Sequence, residues 1–569
     1  MKRMLIVMTV LISCHVLNGQ SQSETDALVR VLGVMSIEDA DPDEVDRLME
    51  IIRHPISLDR TGLTRLEHSG LLTPYQLASV KDYIYRHGDL LSIVELSAVD
   101  GFSRQSAEIL RPFLTFGRLA GTVRAKQFRW KSDMKTALKG KAGENPEWNY
   151  GVRGRLEYGS KYELVASLSK AYDRPEAYPS AYAAVFSVSH KFGKLLIGDF
   201  NARFGQGLCL WNTTVFSTPT VPSAFMRRAS GLSASYSYTG TNAMTGVAGE
   251  LSLNKWKFSG LIALPGVKAG FPEGFSLMPA VNVAKRFRFG QLSATHLVRF
   301  SDASSSNFRI PQMRTALDAS LCFHGVNIFT ETSYEWVSAL WGFVAGVETN
   351  VGDNFAFASL VRYMPESNEH GVAFSGEYRN GRHQCVWSTD LLYDPRRKSM
   401  EDKRVQLKTQ CRWRFHVIDR FYIDIRASER LRTWGNVSRT DFRTDVCYDG
   451  HGWMAAMRFN LLLCEAAGFL GYAEAGYCPD IRLKIYLRQG FFRIDDWDDR
   501  IYVYERDAPG SYNVPAFYGR GVWTSLYMTS KFSRWGKVCL RASYTGYPFM
   551  TVKQKPGKAE LKLHLQWRF

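Results

Sequence analysis

The chain has 569 residues, 45% hydrophobic and 22% charged, with 72 Lys and Arg against 55 Asp and Glu, a net charge of +17. Mean hydropathy is slightly negative. Past the first 20 residues no run of about 18 apolar residues occurs, which excludes a helical membrane protein. The basic excess first suggests a nucleic-acid partner, and its meaning depends on where along the chain the charge sits.

Residues 1–20, MKRMLIVMTVLISCHVLNGQ, have the order of an export signal: basic Lys2 and Arg3, an apolar stretch from Met4 to Leu17, then Asn18, Gly19 and Gln20. Cleavage is expected near Gly19–Gln20. The box Leu11–Cys14 resembles a lipoprotein cleavage site, with Cys14 as the lipidated residue, but the apolar run continues through Val16 and Leu17 and favours ordinary cleavage. Eight cysteines remain after it, with no CxxC spacing, so neither a disulfide framework nor a structural zinc site is expected.

Residues 24–116 read as a small helical domain. Asp41-Pro42-Asp43-Glu44 starts a helix whose stripe is Val45, Leu48, Met49, Ile51 and Ile52, and Pro55 ends it. Leu63 and Leu66 mark a second helix. Thr73-Pro74 opens a third, with Leu77, Val80 and Ile84 on one face and Gly88 as its stop. Ser92 and Glu95 form a capping-box pair, and Ser103 starts the last helix.

Residues 69–116, beginning SGLLTPYQLASV, resemble a tandem helix-hairpin-helix domain of the competence DNA-receptor type. The turns align as Gly70, Leu71, Leu72, Thr73 and as Gly101, Phe102, Ser103, Arg104, with Leu72 and Ser103 standing where that family has a second glycine. The resemblance implies backbone N–H groups offered to a DNA phosphate. Charge points the other way. Residues 24–117 hold sixteen acidic and nine basic side chains, net −7, whereas non-specific DNA binding rests on Lys and Arg. A protein-docking or spacer module is the competing reading.

Residues 118–569 read as an antiparallel transmembrane β-barrel. In AELKLHLQWRF the apolar Ala559, Leu561, Leu563, Leu565, Trp567 and Phe569 alternate with Glu560, Lys562, His564, Gln566 and Arg568. Outer-membrane barrels resemble it in ending on an aromatic strand of this kind, which implies that Trp567 and Phe569 are read by the barrel-assembly machinery. The period of two recurs over 405–415, 421–427 and 481–488, and further strands are expected through 147–158, 161–171, 180–191, 193–202, 232–239 and onward to 535–546. A domain of this length holds about 22–26 strands. Irregular connections are expected near 213–231, 265–279, 301–312 and 489–519. The acidic group Asp495, Asp496, Asp498 and Asp499 in the last reads as a solvated loop.

The segment GDFNARFGQGLCLW (198–211), followed by Arg227-Arg228, resembles part of a Bacteroidetes-type family of outer-membrane barrels that carry the same helical domain in front. The motif residues Gly198, Asp199, Phe204, Gly205, Gln206, Gly207, Trp211, Arg227 and Arg228 are expected to build a structural corner, the arginines pairing with Asp199 or lipid headgroups.

The fold class is therefore mainly β: a large barrel (118–569) behind an export signal (1–20) and an all-α domain (24–116). The barrel carries +22, with Arg and Lys on the lumen-facing phase. That implies an anion-favouring passage, or else side chains that pair with lumen carboxylates and fill the interior. No catalytic motif and no cofactor site emerges. The expected function is an outer-membrane channel or uptake protein whose periplasmic helical domain binds DNA. The alternative is an assembly protein docking a periplasmic partner, and an outer-membrane enzyme is the weakest.

Overall fold

The computed structural model describes residues 20–116 and 128–569 apart from short segments, the longer of them 212–218, 236–242, 265–275, 302–310 and 395–403. The export signal before Gln20, including Cys14, lies outside the described residues.

Six helices form the N-terminal domain: α1 (Gln20–Leu32), α2 (Pro42–Arg53), α3 (Leu63–Ser69), α4 (Pro74–His87), α5 (Ile93–Ala98) and α6 (Arg104–Leu110). Local chemistry sets most boundaries. The Glu44 N–H donates to Asp41 Oδ1 at 3.3 Å at the start of α2. Thr73 and Gln76 form a reciprocal capping box on α4, and Ser103 and Ser106 do so on α6. At Ser92 the box is half made, because the Glu95 carboxylate accepts from the Leu91 N–H instead. The helices enclose their own core, with Leu48, Val80, Ile84, Leu96, Ala107 and Phe113 fully buried. A parallel bridge of Ile56–Ser57 with Leu114–Thr115 ties the ends together. Helix α1 has no counterpart in the sequence reading, since it begins at the leader boundary.

The rest of the described chain is a closed antiparallel barrel of 24 strands, within the expected range. The first strand, Phe128–Lys141, pairs with the last, Lys558–Arg568, from Lys131↔Arg568 to Lys141↔Lys558. Trp130 and Phe569 exchange backbone hydrogen bonds at 2.9 and 3.2 Å beside that seam. Closure removes every sheet edge, which is what a lipid environment demands of strands.

Which face is apolar identifies the surroundings. In Trp453–Leu463 every second residue is exposed, and the exposed set is Trp453, Ala455, Met457, Phe459, Leu461 and Leu463. Arg458 and Asn460 are buried in the lumen. A soluble sandwich has the opposite polarity; a membrane-spanning barrel has this one. Exposed rings gather in two bands. Tyr158, Tyr162, Phe289, Phe323, Trp453, Tyr477, Trp535 and Phe569 sit beside the short turns, and Trp148, Trp336, Trp341 and Tyr544 sit beside the longer loops. These are the positions of interfacial girdles.

Two strands escape the sequence pattern. Phe128–Lys141 carries Ser132 and Thr136 on its lipid-facing phase, and Val326–Glu335 carries Thr330 and Thr332, so alternation is blurred in both. Two boundaries also differ. The strand Leu483–Ile494 extends past 489 into the expected connection. Of the strand expected over 232–239, residues 236–239 lie outside the described residues, and Gly231–Ala234 is a short strand that pairs with Phe200–Arg203. The wall itself passes directly from Lys194–Phe200 to Met244–Glu250.

Leu317 lies mid-strand on the lipid face and is 58% exposed. Leu317→Arg is expected to cost about 2–4 kcal/mol, read as a shifted urea midpoint of unfolding in lipid vesicles, whereas Thr315→Ser beside it leaves the midpoint nearly unchanged.

Candidate functional site in the barrel lumen

The helical domain sits inside the barrel. Its acidic side chains meet basic residues that project inward from strands around the ring. Asp26 of α1 accepts from Arg414 Nη2 at 2.7 Å and lies 3.8 Å from Arg412. Glu38 contacts Arg458 at 2.6 Å and Arg443 at 3.2 Å and accepts from the Tyr504 N–H at 3.1 Å. Glu44 of α2 pairs with Arg203. Glu50 lies 2.8 Å from Lys131 and 3.6 Å from Arg568, and Glu67 of α3 lies 3.6 Å from Lys257. Five carboxylates thus bind seven strands of the wall. The net −7 of the domain is the electrostatic complement of the +22 barrel.

Two straps close the lumen from the other end. The connection after Arg203 folds inward, where Thr220 donates through its N–H to the Gly33 carbonyl at 2.8 Å and Arg228 donates to the Val31 carbonyl at 3.3 Å. Gly33 ends α1 at φ +67°, and a Cβ there would stand 2.1 Å from the Cβ of Ala224. The strap 495–518 brings Glu505 to 2.6 Å from Arg541, Asp507 to 2.8 Å from Lys562, and the Tyr512 hydroxyl onto the Ile37 carbonyl. In its outer part Asp495 pairs with Arg520 at 3.0 Å, and the Asp498 side chain is solvent-exposed.

Most remaining lumen charges pair within the wall: Arg153 with Asp133 at 3.0 Å, Arg362 with Asp390 at 2.8 Å, Arg488 with Glu474 at 2.7 Å. The open anion-favouring passage therefore gives way to the other reading, in which lumen arginines pair with carboxylates and fill the interior.

The motif at 198–211 forms a corner built around a wall carboxylate. Gly205 and Gly207 adopt φ +61° and +93° and curl the backbone around the Glu331 carboxylate. That carboxylate accepts from the N–H groups of Gln206 at 2.6 Å, Leu208 at 3.1 Å and Cys209 at 3.2 Å, a backbone nest around an anion. A Cβ on Gly205 would stand 2.8 Å from that carboxylate. The Phe204 N–H donates to the Leu210 carbonyl at 3.1 Å, and Arg227 stacks over Trp211 at 5.0 Å. Asp199 accepts from the Tyr182 N–H at 2.6 Å and the Thr245 hydroxyl at 2.5 Å, and Arg228 reaches the Val31 carbonyl of the helical domain at 3.3 Å. Gly198, at φ +107°, lies where the chain turns inward, and a Cβ there would stand 2.2 Å from the Tyr182 carbonyl oxygen.

The two hairpin turns are placed differently. The first, Gly70–Thr73, is packed in: Leu71 and Leu72 are buried, and a Cβ on Gly70 would meet Arg47 and Ser230. The second, Gly101–Arg104, lies against Tyr75, whose hydroxyl donates to the Arg288 carbonyl in a short turn of the barrel. In both, amides that a phosphate would take are engaged internally. The Leu71 and Thr73 N–H groups donate to Ser69 Oγ and Gln76 Oε1, and the Ser103 N–H donates to Ser106 Oγ. Trp567 and Phe569 end the closing strand on the lipid-facing phase.

No known family and no curated protein matches the sequence. Solved structures do. The translocation pore of the P pilus usher PapC is 7% identical, with 78% of this chain and 99% of that one covered at a TM-score of 0.39. The ferric enterobactin receptor PfeA of Pseudomonas aeruginosa is 7% identical over 77% and 80%, at 0.41. The siderophore receptor PirA of Acinetobacter baumannii is 7% identical over 78% and 80%, at 0.38. At these scores the likeness carries no argument about function.

Burial alone would raise the Glu38 and Glu44 carboxyls. Arg443, Ser36 and Arg426 around the first, and Arg203 and Arg47 around the second, hold both down at about 2 against an ordinary 4.5. Each then contributes roughly 3 kcal/mol at neutral pH. The contribution is complete above the ordinary value and is lost as pH falls through about 2. Protection factors of the α1 and α2 amides, corrected for the intrinsic pH dependence of exchange, are therefore expected to fall on acidification within that window. Glu38→Gln, which strips one arm from two buried guanidinium groups, is expected to weaken protection of the same amides by about 3 kcal/mol at neutral pH.

Proposed function

We propose that this protein is an outer-membrane uptake barrel held shut by its own N-terminal domain, which acts as a lumen plug that shifts when cargo passes. The observation that carries the reading is the ring of domain carboxylates bound to wall cations. A buried hydrophobic seam would fix the domain for good. Buried ion pairs gain little net free energy over separated, solvated charges and re-form with other partners, so a charged seam suits a part that moves. Both barrel termini lie at the end with short turns, such as Asn254-Lys255, Arg288-Phe289 and Gly381-Arg382, and the long loops lie at the other. Short turns face the periplasm in barrels of this type, which supports periplasmic tethering of the plug.

A second reading concerns the same domain. Tyr85, Leu91 and Val94 of the α4–α5 region are 77%, 62% and 72% exposed. Exposed apolar side chains on an acidic domain favour a protein partner over DNA at this face. A photo-crosslinker at position 94 is expected to capture one stoichiometric periplasmic protein. Capture of nucleic acid instead would restore the DNA reading.

Planar-bilayer conductance tests the plug. The native barrel is expected to be almost silent. Glu38→Arg with Asp26→Arg, placing like charges against Arg443, Arg458 and Arg414, is expected to give large, frequent openings. A charge-reversed barrel that migrates as folded and stays silent would overturn the proposal.

A further inference from the structure

One row of lumen cations is answered by no carboxylate at ion-pair distance among the described residues. Lys408, Arg430 and Arg439 lie directly opposite one another on three adjacent strands, in register Lys408↔Arg430 and Arg430↔Arg439. All three share the lumen-facing phase with the buried Arg412 and Asp424. Directly opposed like charges on a sheet destabilise it. A nearby row repeats the arrangement as Arg412↔Arg426↔Arg443, and there the charges are answered. Asp424 lies 2.6 Å from Arg412 and 3.0 Å from Arg426, and Asp445 lies 2.8 Å from Arg443.

The row nearer the long loops lacks such partners. Lys408 and Arg430 make no hydrogen bond or ion pair among the described residues. Arg439 donates only to the backbone carbonyls of Asp498 and Arg500, at 3.3 and 3.2 Å. Asp390, directly across from Lys408, is held by Arg362 at 2.8 and 3.0 Å.

These cations line a cavity of about 900 Å³ beneath the strap at the long-loop end, a volume in the range of ligand sites. Arg426, Arg432, Arg443 and Arg500 are further basic side chains of the lining, Trp497 and Tyr502 line the cavity from the strap, and Ser36, Glu38 and Asp39 of the helical domain complete it. The strap's own acids, Asp496, Asp498 and Asp499, also line it. The wall adds Glu429 and Asp441, the latter beside Arg439 and Arg443, so Lys408, Arg430 and Arg439 stand out by their opposed register and not by an absence of acids nearby.

We propose that this cavity binds a compact polyanion, carrying two or more phosphate or carboxylate groups, across Lys408, Arg430 and Arg439. Guanidinium and ammonium groups set a few ångströms apart give such a ligand several charge-assisted hydrogen bonds at once. Asp39 is the carboxylate that the domain presents to the same cavity, one residue from Glu38 on Arg443 and Arg458. A bound anion therefore competes with the plug's acidic tip for the wall. The inference rests on the uptake reading for its purpose and names the class of cargo.

The test is calorimetric binding of pyrophosphate and of citrate to the full-length folded barrel in detergent, without any conductance measurement. At least one probe is expected to bind saturably at one site and to weaken as salt rises. Preference between the two assigns phosphate or carboxylate as the recognised group. Lys408→Gln with Arg430→Gln is expected to lower affinity by about tenfold or more, and Asp39→Asn to raise it severalfold, with unchanged heat-modifiable gel mobility as the check on folding. No saturable binding of either probe, equal binding to the double variant, or binding of calcium to the acidic strap in place of any anion would overturn the site. The plug reading would stand in each case, because its own test is conductance.

Discussion

The structure depends on one constraint: an arginine-rich wall inside a membrane barrel must be neutralised where little water reaches. A guanidinium taken from water and left unpaired costs several kcal/mol. Strands in lipid have only one polar face to offer, so the lumen collects the charge that the outer face refuses. Wall carboxylates answer part of it, as Asp424 does by accepting from Arg412, Arg414 and Arg426 together. The helical domain and the two straps answer much of the remainder. Placement of the domain, closure of the lumen and the inward fold of 495–518 are three results of the same requirement.

That requirement also gives the glycine motif its role. Glu331 projects from a wall strand into the lumen, with Arg227 nearby. It is satisfied by three backbone N–H groups of the loop 206–209. Only residues that accept positive φ, and that lack a Cβ to collide with the carboxylate, can curl this tightly. The segment 198–211 therefore pins a strap to the wall by the same logic as the ion pairs, with amides in place of arginine. Trp211 under Arg203 and Arg227 covers the corner and keeps their charge out of water.

Under the proposed function, a domain secured by charge differs from one secured by packing. Its helices already have their own apolar core, so little hydrophobic area is lost when the domain shifts against the wall. Each carboxylate leaving one arginine can meet another on a neighbouring strand. Under the proposed function, this arrangement combines a closed resting barrel with a low-cost route to movement and ties the position of the domain to anything anionic that enters the lumen.

Much of this was legible in the residues before any coordinates. Alternation at 405–415 and 559–569, an apolar face paired with a basic one and the terminal Phe569 determine a membrane barrel of about the observed strand number, because a period of two under a lipid surface has few other solutions. Capping signals at Asp41, Thr73 and Ser103 determine most helix starts, because capping is local. The strands at 128–141 and 326–335 escaped because hydroxyl side chains on the lipid face blur the period. The opposed charges of the two parts, −7 and +22, were visible as numbers, but the numbers do not say where the parts lie. Asp26 and Arg414 are 388 residues apart, as are no two groups that local pattern can relate. Only the closed ring brings inward-facing arginines and lysines from seven strands around one acidic domain. The tertiary structure places the helical domain within the ring of strands and leaves one row of wall cations, Lys408, Arg430 and Arg439, without a carboxylate at ion-pair distance among the described residues.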